Sequence, residues 1–165
     1  MQFSQRLIAR FVTYAMAGAL FITALGLQEA WAVKLLGKTE QNSLIFSDSA
    51  NHVTLNKKFT LNKRGPVVII YTAECSVAAL DTSTWLNIEI LIDDVPLPPP
   101  GNNVAFCTST GSNALDGWVS AATQGRVVLD PGPHTIRIVG HLVDSDPGDQ
   151  WRIDDQNLTV IIQKF

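Results

Sequence analysis

The chain has 165 residues, 46% of them hydrophobic and 16% charged, with a net charge of −3. That length suits one domain with one core. An acidic chain whose basic residues are scattered argues against nucleic acid or anionic lipid as a partner, because both are held by basic patches.

In chain order the first feature is a secretory signal pattern. Arg6 and Arg10 precede an uncharged, mostly apolar stretch at 11–27, and Ala30-Trp31-Ala32 supplies a small-x-small cleavage site. A cut after Ala32 divides the chain into a signal peptide, residues 1–32, and a single domain, residues 33–165. A retained anchor is the competing reading. The stretch falls short of the roughly 20 apolar residues that span a bilayer, and it contains Thr13 and Thr23. Cleavage takes Lys and Arg to 10 and Asp and Glu to 14, a net charge of −4. It predicts a secreted or periplasmic product with no membrane association in its mature form.

From there the sequence reads as short apolar or alternating runs separated by turn residues. The predicted strands are 43–47, 51–56, 58–61, 67–75, 86–92, 103–108, 118–123, 126–129, 134–143, 150–153 and 158–163. Val67 to Tyr71 is continuous and largely β-branched, as in a strand covered on both faces. Alternation places Ile88, Ile90 and Ile92 on one face, Ile136, Ile138, Gly140 and Leu142 on another, and Leu158, Val160 and Ile162 on a third. Asp130-Pro131-Gly132-Pro133 and the stretch 144–149 are reversals, and the Pro-rich stretch 96–101 is an extended loop. No stretch after residue 33 carries a capped helical period. The fold class expected is all-β, an antiparallel two-sheet β-sandwich of jelly-roll or immunoglobulin-like type.

Two cysteines are present, Cys75 and Cys107. An exported chain meets an oxidising compartment, so they are expected to form a disulfide. A paired thiol cannot act as a nucleophile.

Candidate chemistry is confined to a few places. Asp144, Asp146 and Asp149 set closely spaced carboxylates on a turn, which is suitable local chemistry for a structural Ca²⁺. The pattern is not an EF-hand, because Asp149 stands where that loop needs Gly; the competing reading is a capped turn. His134 and His141 differ by an odd number in one strand and point to opposite faces, which argues against a shared Zn²⁺ site. No nucleophile-elbow or metalloprotease spacing occurs, so no catalytic residue and no further cofactor is expected.

Trp118 and Trp151 each follow a polar loop and fall near a rim, where an exposed ring can pack a sugar's apolar face. Asp116, Asn113 and Arg152 are the polar residues expected beside them; a place in the core is the alternative for each Trp. The sequence thus predicts a non-catalytic binding module for carbohydrate or cell-surface glycan. The alternative is a structural or adhesive subunit that joins another surface protein through strand edges.

Overall fold

Among the described residues the predicted apolar runs find ladder partners, and their inward faces meet. The computed structural model describes residues 33–97 and 105–163, and none of these is helical. Its strands are β1 (Val33–Glu40), β2 (Leu44–Phe46), β3 (His52–Leu61), β4 (Gly65–Ala78), β5 (Trp85–Ile92), β6 (Val95–Pro96), β7 (Ala105–Thr108), β8 (Val119–Leu129), β9 (Gly132–Val143) and β10 (Gln150–Gln163). One sheet runs β1-β10-β4-β8, with β2 also on β10; the other runs β3-β9-β5-β6, with β7 also on β5. All pairings are antiparallel. The all-β, two-sheet sandwich read from the sequence is the fold observed. The signal peptide expected at residues 1–32 lies outside the described residues.

The core lies between the sheets. Val67, Ile69, Tyr71, Ala73 and Cys75 of β4 face Leu86, Ile88, Ile90 and Ile92 of β5 and Ile136, Ile138 and Leu142 of β9, all buried. At this scale of burial each large aliphatic side chain contributes about 1.5–3 kcal/mol. Cys75 and Cys107 are bonded, with Cα atoms 6.3 Å apart, so the disulfide ties β4 of one sheet to β7 of the other.

Three pairs of predicted strands prove continuous: 51–56 with 58–61, 118–123 with 126–129, and 150–153 with 158–163. In β10 the join is a bulge. Between Asp154 and Asn157 the strand carries one more residue than β4 does between Glu74 and Thr72, and Asp155 takes φ 44°. An extra residue reverses which side chains face in. Trp151 and Ile153 point inward before it, Gln156, Leu158, Val160 and Ile162 after it. Gln156 is therefore carried into the core, where its Oε1 accepts from the Tyr71 hydroxyl at 2.9 Å. Burial raises the Tyr71 phenol above its ordinary range, so it remains a donor.

The β5–β6 hairpin turns through Asp93 and Asp94, both at positive φ, as a two-residue primed turn requires. Asp93 Oδ2 lies 2.7 Å from His134 Nδ1, and the carbonyl of Asp130 lies 2.9 Å from His134 Nε2. Partial burial of His134 disfavours its charged form, but two facing acceptors outweigh that and raise its pKa. Asp93 is held below its ordinary value: burial opposes this, and the bonds from His134 and the Thr135 amide prevail. A raised histidine stabilises fully below its unfolded value near 6.5 and loses that contribution as pH rises through the folded value. A lowered carboxylate stabilises above its unfolded value near 3.8 and loses that contribution as pH falls through the folded one. The pair therefore supports the fold most between these two pH values. Because Asp93 is largely exposed, the gain is under about 1 kcal/mol. Denaturant melts of wild type and Asp93→Asn at pH 5.5 and 8.5 test this: the wild type loses more stability at the higher pH, and the variant does not.

Candidate functional site at the end of the first sheet

Since Cys75 faces the core, Glu74 and Ser76 face outward. Register then arranges the outer face of the first sheet in rows. Ile45, Arg152 and Ser76 are cross-strand partners, and the pairing of Cys75 with Val119 sets Trp118 opposite Ser76. In the next row Asp154 stands opposite Glu74, and Glu74 opposite Ser120.

The geometry of the first row is specific. The Arg152 guanidinium carbon lies 3.7 Å from the centroid of the Trp118 ring, a cation–π contact, and Trp118 remains 39% exposed. The small Ser76 lets the arginine reach across β4. Ser76 itself is 2% exposed, and among the described residues neither its Oγ nor Arg152 Nε has a hydrogen-bond partner. In the second row, Asp154 Oδ1 accepts from the Asp155 amide at 2.9 Å.

The structure thus brings Trp118 and Arg152 together, two residues separated by 34 positions whose proximity comes from register. Asn113 and Asp116 are exposed in the segment leading to Trp118, and no hydrogen bond or ion pair joins them to it or to Arg152. Glu74, Ser76 and Asp154 complete the patch and were missed as site residues. The signal that could have found the β4 pair was the alternation around Cys75.

One expectation is corrected. Trp151 is no surface platform: it is fully buried, stacked on Phe46 at 4.3 Å between ring centroids. Its ring covers Gly140, where a Cβ would stand 2.7 Å from the indole Cη2. Although it follows a turn, Trp151 is already the second residue of β10 and takes the inward parity. The carboxylates of Asp144, Asp146 and Asp149 do not converge either. Asp149 Oδ2 accepts from the Asp146 amide at 2.8 Å, while Asp149 N donates to the Asp146 carbonyl at 3.1 Å. Asp144 takes a positive φ and offers its carbonyl to the Thr84 hydroxyl at 2.8 Å. Among the described residues, no three or more His, Cys, Asp or Glu gather to hold a metal ion. The acidic stretch caps a turn.

A concavity of about 700 Å³ lies between β8 at Ala121–Gln124 and the Ile88–Ile90 stretch of β5. Neither β6 nor β7 pairs with that stretch as a ladder. Leu97 packs against Gly125 of β8, where a Cβ would meet its Cδ1 at 2.7 Å.

No protein-family model and no curated protein matches the sequence. Among solved structures the chain is similar to part of dimeric latent PorU from Porphyromonas gingivalis, with TM-score 0.51 and 13% identity over 81% of this chain. The chain spans 13% of that protein's length. It also aligns with the EclA C-terminal domain, a sugar-binding protein, at TM-score 0.42 and 14% identity, covering 72% of this chain and 78% of that one. A family 35 carbohydrate binding module from Clostridium thermocellum aligns at TM-score 0.34 and 16% identity, covering 78% and 97%. At these identities the likeness is one of fold. The chain is an antiparallel two-sheet β-sandwich.

Proposed function

We propose that the protein is an exported, non-catalytic binding module that holds carbohydrate on the outer face of its first sheet. The observation that carries this reading is Trp118: a ring left 39% exposed, fixed by a stacked arginine, with outward carboxylates in the adjoining row. A held aromatic ring presents apolar area at little entropic cost, and the groups beside it supply hydrogen bonds to hydroxyls. Asn113 and Asp116 lie on the exposed segment that leads to Trp118. A structural Ca²⁺ has no part in this reading.

The test is calorimetric titration with a panel of soluble oligosaccharides, comparing wild type with Trp118→Ala. The expected result is binding by wild type and a loss of about tenfold or more in the variant, equivalent to roughly 1.4 kcal/mol. Thermal stability should change little, because the ring is a surface one. Binding unaffected by the substitution contradicts the proposal.

One observation favours a second reading, assembly with another surface protein or a second copy through a strand edge. β8 ends the first sheet and, among the described residues, pairs only with β4. Its eleven residues include a single charge, Arg126, and the exposed Val119 and Val128. An uncovered, weakly charged edge is a template for strand addition. Self-association in sedimentation that persists in Trp118→Ala would mark that edge.

A further inference from the structure

The Trp118 face carries a charge imbalance, and the imbalance bears on which sugar it takes; the point rests on the carbohydrate reading above. Glu74 and Asp154 stand directly opposite each other on β4 and β10, half-buried and on the same side as Trp118. Neither is in an ion pair among the described residues. Like charges placed directly opposite on neighbouring strands destabilise a sheet, so the pair costs stability where it stands. Arg152, one row away, lies over the indole rather than against a carboxylate. The two rows Ile45-Arg152-Ser76-Trp118 and Asp154-Glu74-Ser120 therefore hold one positive and two negative charges. A second feature marks the same place. Ser76, two residues from Glu74 on the same face, is 2% exposed, and among the described residues its Oγ has no partner. A buried hydroxyl without a partner is rare and calls for an explanation.

We propose that this face selects an oligosaccharide of hexosamine with free amino groups. One sugar ring packs on Trp118, and its ammonium sits beside Glu74 and Asp154. An ammonium brings three donors and a charge to two carboxylate acceptors, and charge-assisted bonds of that kind are the stronger ones. N-acetylation keeps the ring and removes the charge, so an acetylated sugar is bound by the ring alone.

The experiment is titration of the purified chain with a glucosamine tetramer and with its fully N-acetylated counterpart. It is run in low salt, in 0.5 M salt, and with EDTA, on wild type, Trp118→Ala and the double variant Glu74→Gln with Asp154→Asn. The expected result is a preference of about tenfold for the free amine in low salt, shrinking as salt screens the charges. The double variant should melt at or above wild type and bind the two sugars equally; Trp118→Ala should lose both. Equal binding of the two tetramers by wild type overturns the selectivity and leaves the carbohydrate reading standing. A preference that survives in the double variant, or that EDTA abolishes, overturns it as well. Binding of neither tetramer overturns this proposal, and the carbohydrate reading too if no other oligosaccharide binds.

Discussion

Trp151→Ala is expected to lower the unfolding free energy by about 3–5 kcal/mol, the range for deleting a large buried aromatic. Trp151 is fully buried, its ring covers Gly140, and Phe46 stacks on it. Phe46 in turn stacks on His52 at 4.1 Å, so the indole ties β2 and the start of β3 to β10. Gly140 adds to the cost. With no side chain of its own, it cannot fill the space the indole leaves, and the cavity stays open between the sheets. Denaturant unfolding checks the magnitude. The contrast with Trp118→Ala separates the two tryptophans: one substitution removes stability, the other removes binding. A loss at Trp151 below about 1 kcal/mol would contradict the packing described.

Removing the disulfide is the second large effect. The bond closes a loop of 32 residues' separation, and the chain-entropy model assigns such a loop about 3.5 kcal/mol. β7 is only four residues long and, among the described residues, pairs with β5 alone, so the bond to Cys75 is its covalent tie to the first sheet. Cys75→Ala with Cys107→Ala is therefore expected to lower the melting temperature by about 10 °C or more. Protection of the β7 amides from hydrogen exchange should fall first, since the lost bond anchors that short strand directly. Equal melting with and without reductant, in a protein shown to be reduced, would contradict this account.

Much of the sandwich was legible because its faces obey a simple period. Ile136, Ile138, Gly140 and Leu142 do share the inward face of β9, and Leu158, Val160 and Ile162 that of β10. What could not be read was the continuity of the strands. A bulge such as that at Asp155 slips the register by one residue, and to a periodicity argument the slip looks like a break. β1 is absent from the predicted strands because Leu35 and Leu36 are adjacent and break the alternation; its place comes from pairing with β10 along its whole length. Trp151 was misread as exposed because its burial depends on a glycine in another strand. Trp118 and Arg152 were both named in advance, but their contact depends on β4 lying between them with a serine at position 76, which no local pattern encodes.

The central claim is that carbohydrate meets the protein at Trp118. The most direct test is a titration of the indole N–H resonances in a nitrogen-15 correlation spectrum, assigned with Trp118→Phe, as oligosaccharide is added. The account predicts saturable movement of the Trp118 signal with the Trp151 signal unmoved. A sugar that moves the Trp151 signal or amides lining the β5–β8 cleft, while leaving Trp118 in place, would contradict it.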